Sequence, residues 1–229
     1  MTVQTVTEST VVPLRGARGM IADKMSASLR DAAQLTHHAR ADMMALLATK
    51  AQFKGEGNSL SVEDLLMEAT IRTLKNHPDI NGRVEGREVH LTNAVDLGVA
   101  IALPGNLLAA PAIFGADRMS LPELRAARRD LVQRANTNKL TVPEMTGGTF
   151  TISNLGLSRV EQFTPIINTP QIAILGIGRT VDTPVRDGEN VVWKPYAGLS
   201  LTFDHRAIDG APAAAFLTDL CTTIEEFVP

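Results

Sequence analysis

A stretch near the carboxyl end, LSLTFDHRAIDG at residues 199–210, constrains the fold more than any other part of this sequence. Apolar and polar side chains alternate from Leu199 to Asp204, which is the two-residue period of a half-buried strand. The alternation stops at His205, and Gly210 can adopt turn conformations that other residues avoid. A closing helix is predicted over residues 211–227. The pattern therefore predicts that the His205 imidazole lies in a turn between a strand and a helix.

The local pattern leaves the role of His205 open between a structural residue and a proton-transfer group. Histidine is the side chain best suited to moving protons near neutral pH. A metal pair with Asp204 is disfavoured, because neighbouring residues of a strand point to opposite faces. The other four histidines are scattered along the chain, so the sequence predicts no metal site.

Length and composition predict one globular domain. The chain has 229 residues, 44% of them hydrophobic and 21% charged, which is enough to bury a core. The net charge of −3 has mixed signs and favours neither nucleic acid nor a membrane as partner. No apolar run approaches the ~20 residues that span a bilayer. The single cysteine, Cys221, excludes an intrachain disulfide and favours a cytoplasmic protein.

Helical and strand-like segments follow one another irregularly. Residues 1–12 are predicted to form a linker or flexible arm, and residues 13–229 are predicted to form one domain. Because the order is not strictly βαβ, we predict an α/β fold with a mixed sheet covered by helices. Helices are predicted at residues 43–53, 61–78 and 121–136, with Ser61 and Ser120 as the cap residues of the last two. Strands are predicted at 34–42, 83–85, 88–91, 96–103, 107–114, 150–153, 172–176, 178–181 and 191–201.

DHRAIDG resembles the D-H-R-x-x-D-G signature of the catalytic (acyltransferase) core of the dihydrolipoamide acyltransferase component of 2-oxo acid dehydrogenase complexes. Four further blocks are similar to that family in the same order: RGMIADKMSAS at 18–28, GTFTISNLG at 148–156, FTPIIN at 163–168 and AILGIG at 173–178. The resemblance implies a two-layer α/β sandwich with a mixed β-sheet, of the chloramphenicol acetyltransferase-like type. In that family, lipoyl domains and a small partner-binding domain precede the core. Neither is found in this sequence, so the chain is interpreted as a core cut from a longer protein.

The resemblance implies acyl-transfer chemistry and roles for five residues. The family transfers an acyl group between the thiols of dihydrolipoamide and coenzyme A, which are its substrates. By resemblance, His205 is the general base and the Ser153 hydroxyl stabilises the oxyanion, although a serine at a strand end is also an ordinary structural residue. Asp209 is expected to hold the catalytic loop through an ion pair or backbone N–H bonds, which keeps His205 aimed. Asn154 and Arg206 are expected near coenzyme A, with Arg206 alternatively serving the loop or the surface.

The resemblance also implies an assembly. The chain is expected to form homotrimers with the site between subunits, to join a larger cage, and to meet lipoyl domains and other components of the complex. The acyl group is predicted to be acetyl, as in pyruvate- or acetoin-type cores, or branched-chain. Departures from the family pattern at residues 102–112 and 158–162 bear on substrate size.

Two alternatives stay open. One is another coenzyme A-dependent acyltransferase of the same superfamily, and the other is a non-catalytic assembly scaffold. A dipeptide similar to a lipoyl attachment site, Asp23-Lys24, is interpreted as part of a helix because its apolar neighbours have helical spacing.

Overall fold

The computed structural model describes residues 9–55 and 59–228, which form six α-helices and ten strands. The helices are α1 (Gly16–Asp31), α2 (Met44–Gly55), α3 (Val62–Asn76), α4 (Leu121–Asn136), α5 (Val142–Thr146) and α6 (Gly210–Glu225). The strands are β1 (Gln34–Asp42), β2 (Gly82–Glu85), β3 (Glu88–Leu91), β4 (Leu97–Val99), β5 (Ile101–Leu103), β6 (Leu107–Ala109), β7 (Ala112–Ile113), β8 (Phe150–Asn154), β9 (Ala173–Asp187) and β10 (Asn190–Asp204).

Six strands form one mixed sheet in the order β1-β10-β9-β8-β4-β7. β8 runs parallel to β4 and β9, whereas the other neighbouring pairs are antiparallel. Alternate residues of β8, β9 and β10 join apolar side chains of α2, α3, α4 and α6 in one hydrophobic core. The remaining four strands form the hairpins β2–β3 and β5–β6. This arrangement confirms the predicted α/β fold with a mixed sheet.

The end of β10 is not half-buried as predicted, because both of its faces are covered. Leu199 lies in the core, while Ser200 and Thr202 on the opposite face are at most 2% exposed. Their hydroxyls pair with β1, since Thr202 Oγ1 lies 2.8 Å from Thr36 Oγ1 and Ser200 Oγ lies 2.9 Å from His38 Nδ1. The prediction was wrong because alternation reports the polarity of each face and not whether a neighbour covers it.

The predicted strand at residues 96–103 is interrupted at Ala100, whose N–H donates to the carbonyl of Ile152 at 2.9 Å. β4 stays in the main sheet, and β5 turns away to pair with β6. The left-handed φ angles of Gly105 (78°) and Asn106 (57°) close that hairpin. The continuous apolar run hides this change of sheet, because β4 is buried on both faces and β5 still buries Ile101.

Two other differences concern strand length and a missed helix. The strands predicted at 172–176 and 178–181 join in β9, and the overlapping predictions at 191–201 and 199–204 form the single strand β10. The strand predicted at 107–114 divides into β6 and β7, which belong to different sheets. The short helix α5 was not predicted, although Thr141 and Glu144 form a reciprocal cap at its start. A single helical turn lacks the apolar periodicity on which a helix prediction depends.

The helix α3 begins at the predicted cap residue, Ser61. The Ser61 hydroxyl accepts from the Asp64 N–H at 3.1 Å, and the Asp64 carboxylate accepts from the Ser61 N–H at 2.8 Å. Asp64 is fully buried, and Arg128 of α4 donates to it at 2.7 Å. Burial raises the pKa of Asp64, but hydrogen bonds from Arg128 and Ser61 outweigh burial and hold it below its usual value. This cluster ties α3 to α4.

We expect Arg128→Ala to lower the free energy of unfolding by about 3 kcal/mol at neutral pH, because it leaves the buried Asp64 carboxylate unpaired. Since the folded-state pKa of Asp64 is lowered, its contribution is present above the unfolded value near ~4 and is lost as the pH falls below it. Urea unfolding at pH 7 and pH 3 measures both effects. Arg129→Ala, on the exposed face of α4, is the matched control. Equal losses for the two variants would contradict the assignment.

The amino-terminal predictions are tested only in part. The predicted arm at residues 1–12 lies mostly outside the described residues, and residues 9–15 form neither helix nor strand. Its boundary with the domain stays a prediction. Lys24 lies within α1, as the apolar spacing predicts. Where the structure describes the chain, its helices lack the length and apolar character needed to cross a membrane.

Candidate active site

β10 delivers His205 to the surface at one end of the sheet. The His205 N–H donates to the carbonyl of Ala33 at 2.9 Å, which ties the turn to the segment before β1. The imidazole packs against the Phe203 ring, with centroids 5.9 Å apart, and its side chain is 43% exposed. The ring is therefore supported by the core on one side and accessible to a substrate on the other.

The turn around His205 is held by its neighbour Asp204, which is 1% exposed. The Asp204 carboxylate accepts from the backbone N–H groups of Ala33 (3.2 Å) and Arg206 (3.0 Å). It also accepts from the Arg206 guanidinium at 3.0 and 2.5 Å. Burial raises the pKa of Asp204, but these hydrogen bonds hold it below its usual range. Asp204 is therefore a carboxylate at neutral pH. It holds the backbone of Arg206 and that of Ala33, whose carbonyl accepts from the His205 N–H.

Sequence reasoning missed this role of Asp204 because it placed the residue on the solvent side of a half-buried strand. The sequence signal for this role is the position of Asp204 as the first residue of the D-H-R motif. Arg206 is engaged by Asp204, so the structure favours the loop among the roles predicted for it. Its predicted contact with coenzyme A stays a prediction.

Asp209 lies beside His205 but does not anchor the turn. Its Oδ1 is 3.4 Å from His205 Nδ1, and its side chain is 84% exposed. Asp209 occupies the cap position of α6, yet its side chain makes no capping hydrogen bond. The expected bonds to backbone N–H groups are made by Asp204 instead. The polar contact described for the Asp209 side chain is the one with the His205 imidazole.

We expect Asp204→Asn to destabilise the protein more than Asp209→Asn does. The first change removes a buried charge that accepts several hydrogen bonds, at a cost of about 1.5–3 kcal/mol. The second alters an exposed side chain, where a change within about 0.5 kcal/mol is typical. Unfolding free energies of both variants at pH 7 check this order. A loss for Asp209→Asn that equals or exceeds the loss for Asp204→Asn would contradict it.

Ser153 lies near the end of β8 and is half-buried. No hydrogen bond of its hydroxyl is found within the part of the chain that the structure describes. Asn154 follows it, and the Asn154 Oδ1 accepts from the Gly156 N–H at 2.8 Å. The Ser153 hydroxyl is therefore available as a donor, whereas the Asn154 carbonyl oxygen already helps to turn the chain.

The strand register keeps Ser153 and His205 apart within one chain. Ser153 pairs with Gly176 of β9, whereas Asp204 donates its N–H to the carbonyl of Ile172, four positions earlier. At about 3.3 Å per residue, His205 is offset from Ser153 by about 15 Å along the strands, and two strand spacings add about 10 Å across them. A shared reacting atom must lie roughly 3 Å from both groups. One chain therefore does not bring them together.

Two glycines let the chain after Ser153 lie directly on the sheet. A Cβ at Gly178 would be 1.9 Å from the carbonyl oxygen of Glu161, and one at Gly198 would be 2.0 Å from it. A side chain at either position would force that segment off the sheet. Residues 158–162, one of the departures from the family pattern, are thereby fixed over β9 and β10.

Other reactive groups lie apart from these residues. Burial, with a smaller contribution from Glu225, raises the pKa of the Cys221 thiol to about 11. The thiol is protonated at neutral pH and is not a candidate nucleophile. Across residues 9–55 and 59–228, no three His, Cys, Asp or Glu side chains are grouped so as to hold a metal ion.

Comparison with known families identifies the class of the chain. A family model described as 2-oxoacid dehydrogenases acyltransferase (catalytic domain) matches residues 6–228. Because the match covers nearly the whole sequence, the chain belongs to this family. The finding confirms the family that DHRAIDG and the other blocks predict.

Curated relatives include acyltransferase components of several complexes. The acetyltransferase component of the acetoin cleaving system of Bacillus subtilis is 40% identical over 220 residues, which are 94% of this chain and 55% of that protein. The mitochondrial pyruvate dehydrogenase acetyltransferase component of Schizosaccharomyces pombe is 36% identical over 93% of this chain and 45% of that protein. The mitochondrial 2-oxoglutarate dehydrogenase succinyltransferase component of Saccharomyces cerevisiae is 35% identical over 95% and 48%. The chain spans about half the length of these relatives.

Solved structures confirm the fold. Azotobacter vinelandii dihydrolipoamide acetyltransferase superposes with a TM-score of 0.90 at 32% identity, covering 96% of this chain and 92% of that one. The cubic core of a pyruvate dehydrogenase multienzyme complex gives a TM-score of 0.88 at 34% identity, with the same coverage. Chloramphenicol acetyltransferase, at 14% identity and a TM-score of 0.55, covers 90% of this chain and 94% of that one and shares the fold.

Proposed function

We propose that this chain transfers a short acyl group between the thiols of dihydrolipoamide and coenzyme A, as the catalytic core of a 2-oxo acid dehydrogenase complex. The observation that carries the proposal is the anchored and accessible imidazole of His205 in a chain of this family. Asp204 and the core fix its position, and its exposed side meets solvent, as a base for an incoming thiol requires.

The spacing of the candidate residues supports the same assignment. The Azotobacter vinelandii structure addresses the catalytic roles of a serine, a histidine and an asparagine, which lie 52 and 4 residues apart in that enzyme. Ser153, His205 and Asp209 have the same separations in this chain. Asparagine in place of Asp209 fits an orienting role, because an amide does not titrate as a carboxylate does.

In the proposed reaction the His205 imidazole accepts the thiol proton while the sulfur attacks the thioester carbonyl. The Ser153 hydroxyl donates to the oxyanion of the tetrahedral intermediate. Collapse of the intermediate breaks the bond to the other sulfur, which leaves with the proton held by the imidazolium. No acyl-serine is required, and no Gly-x-Ser-x-Gly elbow surrounds Ser153. Asn154 and Arg206 are proposed to border the coenzyme A side.

The separation of His205 from Ser153 supports a site shared between copies. A second chain must supply one of the two residues if both act on one intermediate. Such a head-to-tail contact closes into a ring when the symmetry is three-fold, so we propose a homotrimer. The same proposal includes assembly of trimers into larger cages and contact with lipoyl domains and other components of the complex. It also includes a cytoplasmic location.

We propose acetyl as the acyl group, because the 40% identical relative is an acetyltransferase component. Succinyltransferase components are also among the relatives, an alternative that sequence analysis did not include. A branched-chain group, which sequence analysis did include, is named by none of the relatives described above. Initial rates with acetyl-, succinyl- and isobutyryl-coenzyme A at equal concentration test this choice. A faster rate with succinyl- or isobutyryl-coenzyme A would contradict it.

Formation of coenzyme A and S-acetyldihydrolipoamide from acetyl-coenzyme A and dihydrolipoamide, separated by chromatography, tests the reaction itself. We expect turnover that depends on both substrates. Turnover of acetyl-coenzyme A with an alcohol or amine acceptor, but not with dihydrolipoamide, would favour the other acyltransferases of the superfamily. A trimer without turnover on any acceptor would favour the scaffold.

A further inference from the structure

A second histidine lies on the same core ring as His205. The imidazole of His37, on β1, meets the Phe203 ring edge-on with centroids 5.0 Å apart. His205 contacts the same ring at 5.9 Å. The two imidazole centroids are therefore at most about 11 Å apart. His37 is thus within the length of a substrate arm from the proposed base.

The surroundings of His37 place it beside the catalytic turn. Its strand position pairs with Leu201, and its ring faces Gly210, the first residue of α6. The Cε1 and Nε2 atoms of His37 would lie 3.7 Å from a Cβ at Gly210. The ring edge thus points toward the end of the turn that carries His205, and the side chain is half-buried there.

His37 differs from the other four histidines in its polar contacts. Each of those has a ring nitrogen within 3.4 Å of a polar side chain: His38 with Ser200, His77 with Asp219, His90 with Glu88, and His205 with Asp209. Among the described residues, neither ring nitrogen of His37 has a partner. Within the described residues, Asn81 Oδ1 is the buried side-chain polar atom that lacks a partner. The unpaired ring nitrogens of His37 are therefore open to solvent, and a ligand can take the place of water there.

We propose that His37 binds the thiol substrate by a hydrogen bond to an amide group of its arm while the sulfur reaches His205. The inference rests on the proposed function, which supplies such arms. The pantetheine arm of coenzyme A contains amides, and dihydrolipoamide is itself an amide. A neutral imidazole offers one N–H donor and one acceptor nitrogen, so it can bond to either the C=O or the N–H of an amide. The shared chemistry is therefore an amide-bearing thiol arm.

Two substitutions separate hydrogen bonding from packing. His37→Leu fills the space beside Phe203 but cannot hydrogen-bond, whereas His37→Gln keeps a donor and an acceptor. We expect His37→Leu to lower kcat/KM about 3–10-fold through KM, as the loss of one neutral hydrogen bond implies, and His37→Gln to retain most of it. His38→Leu is the matched control, since it lies next along β1 and is bonded to Ser200 on the other face. Its KM values should not change.

The KM values for coenzyme A and for dihydrolipoamide are measured separately. A rise for coenzyme A alone assigns His37 to the pantetheine arm, and a rise for dihydrolipoamide alone assigns it to the lipoyl arm. Three results would each overturn the proposal. The first is unchanged KM values in His37→Leu, and the second is an equal rise in KM for both substrates. The third is a kcat/KM that His37→Leu retains and His37→Gln loses. The last two outcomes are those of a packing role.

Binding measurements keep this inference separate from the proposed function. If the wild-type chain transfers no acyl group, the proposed function fails. Calorimetric titration with coenzyme A and with dihydrolipoamide then still tests His37. About 3–10-fold weaker binding of one thiol by His37→Leu supports the inference, and equal dissociation constants for wild type and variant overturn it. Thermal unfolding of each variant confirms that the proteins compared are folded.

Discussion

The variant His205→Ala is expected to lower turnover by about 10²–10⁴, which is the usual contribution of a general base. The turn that holds His205 is anchored through Asp204 and Ala33, so loss of the imidazole should leave the backbone in place. Steady-state rates with acetyl-coenzyme A and dihydrolipoamide measure the effect. We expect the loss in kcat, because proton transfer occurs in the transition state.

The control for this substitution is His90→Ala. His90 is an exposed histidine on β3, in a separate hairpin, and its Nε2 lies 3.4 Å from Glu88 Oε2. Its replacement should leave turnover unchanged. A His205→Ala protein that is folded and within about twofold of wild type would remove His205 from the mechanism.

Ser153→Ala is expected to lower turnover by about 10²–10³ without weakening the binding of coenzyme A. The reason is that an oxyanion donor acts on charge that develops only in the transition state. Since the Ser153 hydroxyl has no bond to lose within the described residues, the fold should be little affected. The change in kcat and the dissociation constant of coenzyme A are measured together.

Ser158→Ala is the matched control for Ser153→Ala. Its hydroxyl donates to the carbonyl of Leu155 at 2.8 Å, and it is an exposed serine of the same segment. We expect turnover close to that of wild type. If Ser153→Ala instead weakened coenzyme A binding and left kcat unchanged, Ser153 would bind substrate rather than stabilise the oxyanion.

Local signals in the sequence predicted much of the fold. The cap at Ser61 predicted the start of α3, and a cap at Ser120 with Pro122 in the first turn predicted α4. The DHRAIDG block correctly predicted a strand, a turn and a helix around one imidazole. These features are set by residues within a few positions of one another, which is why a single sequence reveals them.

The features that sequence analysis missed depend on residues far apart in the chain. The burial of Asp204 requires Ala33 and Arg206 to meet its carboxylate, and alternation in β10 carries no information on that contact. The distance between Ser153 and His205 follows from β8 and β10 lying on opposite sides of β9. Strand order and direction are set by the packing of the whole domain, so the motifs alone did not predict that one chain keeps the two residues apart.

The shared site is the central claim, and mixing two inactive variants tests it most directly. His205→Ala and Ser153→Ala are unfolded together, refolded at equal concentrations, and checked for mixed trimers by mass. In a mixed trimer a Ser153→Ala chain still supplies His205, and a His205→Ala chain still supplies Ser153. With random mixing, about a quarter of the interfaces hold both intact residues, so we predict that about a quarter of wild-type activity returns. Mixed trimers without any recovered activity would contradict the account.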